Sequence, residues 1–121
     1  MELRKLTQNE VEITLDVLED YADPADMLIS GELEYRDQEL QEIENIKSRI
    51  RYGDLWAWCT VKVSVKWGTF EGVDYLGGCS YKDENEFRAP GGCYQDMIEE
   101  ALIDLNNQIA ATHAAIKTLE V

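Results

Sequence analysis

The alternation between Leu55 and Trp67 constrains the fold of this chain more than any other stretch. Leu55, Ala57, Cys59, Val61, Val63, Val65 and Trp67 are apolar, whereas Thr60, Lys62, Ser64 and Lys66 are polar. That period of two marks a strand with one buried face, so Gly53 to Trp67 reads as extended chain. Gly68 and Gly72 bracket a reversal into a second strand, Gly72 to Leu76. Val73 and Tyr75 are expected on its inner face and Asp74 on its outer face.

Other elements are read around this hairpin. From Glu10 to Leu18 the apolar Val11, Ile13, Leu15 and Val17 alternate with Glu10, Glu12, Thr14 and Asp16. Val11, Leu15 and Leu18 would also share a helical face, but the unbroken alternation and the β-branched residues favour a strand. Glu19 to Glu34 is rich in acids and turn formers, Asp23-Pro24 and Ser30-Gly31 among them, and reads as a long irregular connection. Leu40, Ile43, Ile46 and Ile50 then recur at helical spacing, which predicts a helix over roughly Asp37 to Arg51, ended by Gly53-Asp54. Its acids lie early and its bases late, as the helix dipole favours. Lys82 to Gly92 reads as a loop. A last helix opens at Cys93 or Tyr94, with Tyr94, Met97, Ile98, Ala101, Leu102, Leu105 and Ile109 on one stripe. Beyond Ile109 the stripe thins, and the final turns are expected to fray. The expected fold is α+β, a single two-layer domain over 1–121 with a small three-stranded sheet and two helices on one face, in the order β-α-β-β-α.

Charge narrows the function. The chain of 121 residues carries a formal net charge of -14, which opposes direct binding to nucleic acid or to an anionic membrane. Basic or neutral partners are expected instead. Residues 1–44 hold 14 of the 25 acids against Arg4, Lys5 and Arg36, so the negative field is concentrated towards one end of the sequence. The first residues lack the apolar core of a secretory signal, and no run has the length of a membrane span, so a cytoplasmic location is expected. Cys59, Cys79 and Cys93 fit no disulfide framework and read as reduced thiols, with a Cys79–Cys93 bridge left open.

Several groups are candidate sites. Strand parity sends Trp56 and Trp58 to the polar face, where two large aromatics would form a partner-binding patch. Alternatively the Glu19 to Glu34 connection folds over them, with Met27, Leu28 and Ile29 as cover. Glu10, Glu12, Asp16, Glu19, Asp20, Asp23 and Asp26 can form a negative stripe suited to a groove meant for phosphates, or an ordinary solvated face. Gly77, Gly78, Cys79, Ser80 and Tyr81, with Gly91 and Gly92, form glycine-rich loops suited to a small ligand, although they lack P-loop spacing. A zinc site from the three thiols and His113 lacks the short cysteine spacing such sites use. Cys79 beside Ser80 has the makings of a nucleophile only if distant His113 comes near it. No cofactor, metal or catalytic residue is expected from these patterns.

Gly53-Asp54-Leu55-Trp56-Ala57-Trp58-Cys59, followed by Leu76-Gly77-Gly78-Cys79-Ser80-Tyr81 and Phe87-Arg88, resembles a group of small proteins encoded by phages, prophages and plasmids. The resemblance covers roughly Gly53 to Leu105. It implies a mobile-element origin and brings no catalytic residue or cofactor with it. Two expectations follow. The first is a non-catalytic acidic protein that blocks a basic, nucleic-acid-handling factor in the host cytoplasm, in the manner of a DNA mimic or counter-defence inhibitor, with homodimerisation open. In it the carboxylates oppose a basic groove and Trp56 and Trp58 anchor. The alternative is a protein that binds or sequesters a small ligand through its glycine-rich loops.

Overall fold

Residues 3–120 are described by the structure, a computed structural model. In chain order the elements are β1 (Glu12–Glu19), α1 (Pro24–Leu28), α2 (Arg36–Arg51), β2 (Cys59–Trp67), β3 (Phe70–Cys79), α3 (Glu84–Arg88) and α4 (Cys93–Lys117). Single turns of 3-10 helix lie at Gln8–Glu10, Leu33–Tyr35 and Leu55–Ala57. The strands form one antiparallel sheet in the order β1-β2-β3, so the architecture is α+β as the alternation predicts. Cys59, Val61, Val63 and Val65 are all fully buried, in agreement with the parity read from the sequence, but Ser64, expected on the polar face, is buried as well. Each such apolar side chain contributes about 1.5–3 kcal/mol by leaving water. Among the described residues no helix is long and apolar enough to cross a membrane.

The chain gathers into two compact units, and each strand gives one end to each. The first holds the residues up to Asp16, Lys62–Tyr75 and those from Arg88 onward. Within it α4 buries Met97, Ile98, Ala101 and Leu105, four members of the predicted stripe. The helix continues through Lys117, past the point where the thinning stripe predicts fraying. Leu6 and Asn106 exchange two hydrogen bonds, amide to Oδ1 at 2.9 Å and Nδ2 to carbonyl at 3.2 Å, which tie the leading segment to α4. Edge strand β3 is capped from the same helix: the Val73 amide donates to Asp104 at 3.0 Å, and Gln108 donates to the Glu71 carbonyl at 2.8 Å. Such capping occupies two of the backbone groups that an open edge offers to another chain.

The expected faces of β3 are reversed. Gly72, not Val73 or Tyr75, is the buried residue, packed beneath Ala101 and Leu105 of α4. Tyr75 is half exposed, and the Lys62 ammonium lies 5.7 Å from its ring centre. The two-residue turn Gly68-Thr69 sets this register, because it pairs Trp67 with Phe70 and so places Tyr75 beside Lys62 on the polar face. Trp67, expected inside, lies at the strand end and is nearly half exposed.

The second unit holds Val17–Val61 and Leu76–Phe87. α2 matches the predicted helix, with Asp37 and Glu39 in its first turn and Arg49 and Arg51 in its last. Only Ile43 and Ile46 of its four expected core residues are buried. The connection from Glu19 to Glu34 is not wholly irregular. Asp23 accepts a hydrogen bond from the Ala25 amide and Pro24 occupies the first helical position, so Asp-Pro starts α1. Likewise Asp83 accepts from the Glu86 amide at 2.9 Å and starts α3 inside the expected loop.

Candidate functional site

The second unit contains the most chemically varied surface, and its shape begins with Asp54. The Asp54 carboxylate accepts from the Trp56 amide at 3.1 Å, which winds Leu55–Ala57 into a turn of 3-10 helix. β2 therefore starts at Cys59 and not at Gly53. A local side-chain bond has displaced the extended backbone that alternation alone predicts. Trp56 thus leaves strand parity altogether. Its ring joins Tyr81 and Phe87, with centroid separations of 6.2 Å and 5.6 Å, and Tyr81 meets Phe87 edge-on at 5.1 Å. Phe87 is fully buried and Trp56 and Tyr81 are half-buried around it, so the trio is a small aromatic core open on one side.

Trp58 has the predicted parity but not the predicted exposure. Its side chain is 4 % exposed, and its indole N–H donates to the Ala22 carbonyl at 2.9 Å. Met27 lies over Gly78 beside the Trp58 ring, and Leu28 lines the same cleft. The connection following β1 therefore covers Trp58, while Ile29 remains outside. The outward indole pair expected as a partner anchor does not exist: one ring is in an aromatic core and the other is under a lid. The physical reason is plain, since a large indole left in water forfeits its burial energy and its N–H finds a carbonyl within reach.

Arg49, which the sequence marks only as a late-helix base, fastens this region. Its guanidinium pairs with Asp54 at 2.8 Å and donates to the Tyr81 carbonyl. The end of α2, the 3-10 turn and the segment leaving β3 are thereby held together. A planar donor fork suits such a three-way junction.

The seven stripe acids have divided roles. In the first unit Glu10 is gripped by Arg4 at 2.7 Å and by the Thr7 amide, which hold its carboxyl at about 2. Glu12 and Asp16 stand exposed there. In the second unit Asp20 accepts from the Ala22 amide at 2.9 Å, the Gly78 amide at 2.7 Å and the Thr60 hydroxyl at 3.1 Å. Those amides, Ala22 first, lower its carboxyl below the ordinary range. Asp23 caps α1 and faces the Lys47 ammonium at 3.9 Å. Glu19 and Asp26 are exposed, and Glu19 accepts from the Tyr21 hydroxyl at 3.0 Å. Three of the seven acids are thus structural fastenings.

Two clefts open in this unit. The larger, about 560 Å³, is lined along one wall by the six consecutive residues Leu76 to Tyr81. Ile46, Trp58 and Cys79 give it an apolar floor, and Glu42, Asn45 and Ser80 stand at its rim. The second, about 430 Å³, lies among Glu19, Asp20, Tyr21, Ile50, Asp54, Leu55 and Trp58. Gly91 lines neither. It borders a concavity of the first unit with Gln8, Arg88 and Tyr94, and Gly92 is the residue that precedes α4. The Gly77 to Tyr81 part of the expected glycine-rich site and Gly91 therefore line separate concavities.

All three cysteines are thiols. Burial pushes the Cys59 thiol up to about 11. Cys79, also buried, donates from Sγ to the Leu76 carbonyl at 3.3 Å. Among the described residues no three His, Cys, Asp or Glu side chains converge as a metal site.

Fold and clefts together define an acidic α+β protein with a mixed apolar and polar hollow at the end of its sheet. No protein-family model matches the chain, and no curated protein or solved structure matches it.

Proposed function

We propose that this is a non-catalytic binding protein that holds a small ligand in the cleft between Leu76–Tyr81 and the Ile46 face of α2. The supporting observation is the cleft's make-up: a hollow of about 560 Å³ with an apolar floor and a few polar groups at the rim, the usual constitution of a small-molecule site. Glu42 at that rim and the net charge of -14 favour neutral or cationic compounds over phosphates. Thermal unfolding with a panel of nucleosides, nucleotides and aromatic amines tests the reading, because a ligand held only by the folded form must raise the midpoint. Asn45→Phe, at the exposed rim, is expected to abolish that shift. A panel that leaves the midpoint unmoved at millimolar concentration removes the proposal.

A second reading is an acidic protein that a mobile element uses to occupy a basic host factor handling nucleic acid. It is favoured by the exposure of Glu12, Asp16, Glu19 and Asp26. Trp58, buried beneath its cover, offers it no anchor, and Trp56 is half-buried beside Tyr81 and Phe87. Tyr21 and Tyr52, 91 % and 89 % exposed, stand further into solvent than the other described aromatics of the acidic unit. Capture from host lysate at low salt that retrieves no basic nucleic-acid-binding protein counts against it.

A further inference from the structure

We infer that the cleft of about 430 Å³ beside Tyr21 is the docking point for a cationic side chain, arginine above all, from a basic segment of a partner protein. This rests on the second reading above and gives it a location. The cleft has apolar walls: Ile50 and Leu55 are each about two-fifths exposed, and Trp58 closes the floor. Exposed aliphatic side chains around a hollow are the surface that a long apolar stem would cover. The head group is specified by charge. Glu19 stands exposed at the rim, and Asp20 and Asp54 are among the residues that line the same hollow. Asp20 and Asp54 are already fastened within the unit, to the amides of Ala22 and Gly78 and to Arg49 respectively, so their positions are fixed before any partner arrives.

Tyr21 decides between the two cations. Its hydroxyl is held by Glu19 at 3.0 Å, which leaves the ring 91 % exposed next to a carboxylate. A guanidinium can lie flat on such a ring and still donate to Glu19, a combination an ammonium matches less well. Tyr52, 89 % exposed and next in sequence to the lining Gly53, extends the aromatic surface for the residues flanking the arginine. Tyrosine and arginine are the residues on which interface energy concentrates. The apolar cleft thus accounts for features that a diffuse acidic field leaves unexplained.

The test uses the full chain and a short dye-labelled synthetic peptide in which arginine alternates with leucine, titrated at low and at physiological salt with the fluorescence anisotropy of the peptide as reporter. The same peptide with citrulline in place of arginine keeps the shape and removes the charge. Glu19→Gln and Tyr21→Ala alter exposed side chains and leave the fold intact, and Glu120→Gln removes one charge at the far end of the chain. The expected result is that each cleft variant weakens binding roughly tenfold, whereas Glu120→Gln has no such effect. Citrulline abolishes binding. If the wild-type chain fails to bind the arginine peptide even at low salt, the acidic-partner reading fails and the inference with it. If it binds but Glu19→Gln and Glu120→Gln weaken it equally, attraction is diffuse and the cleft assignment alone is overturned.

Discussion

The Asp20 carboxylate accepts a hydrogen bond from the Gly78 amide at 2.7 Å, although the two residues lie 58 positions apart. Asp20 follows β1 and Gly78 sits near the end of β3, so one side chain fastens the two outer strands of the sheet across the central one. Thr60 on β2 adds its hydroxyl to the same oxygen. Gly78 adopts φ 66°, a left-handed conformation that glycine takes without strain.

This contact makes stability depend on acid pH. Asp20 has a folded pKa below its ordinary 3.8, and Glu10 is lowered from 4.5 to about 2. The contribution of a depressed carboxyl is fully present above its unfolded pKa and is lost as pH falls through the folded one. The window therefore runs downward from about 4.5. Protonating other acids relieves repulsion in the same range, so the informative quantity is the difference between proteins. Urea midpoints measured from pH 6 to pH 2 are expected to fall less steeply for Asp20→Asn than for wild type.

The covered position of Trp58 gives a stability prediction. Trp58→Ala is expected to lower the unfolding free energy by about 3–5 kcal/mol, from lost burial and the cavity left behind. Trp58→Phe should lose about 1 kcal/mol beyond its change in volume, because the Ala22 carbonyl is left without its indole donor. Urea denaturation followed by circular dichroism measures both. A change within about 0.5 kcal/mol for Trp58→Ala, the range of ordinary surface substitutions, would contradict the cover.

Gly72 tests the register of β3. A Cβ there would meet the Ala101 carbonyl and come within 2.6 Å of the Leu105 amide nitrogen, both part of the α4 backbone. Gly72→Ala is therefore expected to destabilise by about 1–3 kcal/mol or more, since backbone atoms cannot rotate away. Equilibrium unfolding of the variant checks this. With Val73 as the inner residue, the substitution would instead be nearly neutral.

Thiol chemistry separates the cysteines. Cys59 and Cys79 are buried and Cys93 is exposed, so iodoacetamide at pH 7.5 is expected to label Cys93 in the native protein. Cys59 should react only after denaturation. Because burial raises the Cys59 thiol from 9 to about 11, its contribution is complete below pH 9 and declines as pH rises beyond that. Peptide mass spectrometry reads the labelling directly.

Local pattern carried much of the fold. Alternation through Val61, Val63 and Val65 and helical spacing through Met97, Ile98, Ala101 and Leu105 identify buried faces, because both periods are properties of the backbone. Even the missed α1 was legible in Asp23-Pro24, which caps and opens a helix. What the sequence could not determine was the partner of each group. Whether Trp58 met water or the Ala22 carbonyl, and whether Asp20 was a free acid of a stripe or the clasp of three strands, depended on segments brought together from far along the chain. Burial and hydrogen bonding are settled by such long-range neighbours, whereas periodicity reports only which side of an element a residue is on. The tertiary fold therefore moved the candidate site from two indoles to the two clefts that the buried Trp58 lines.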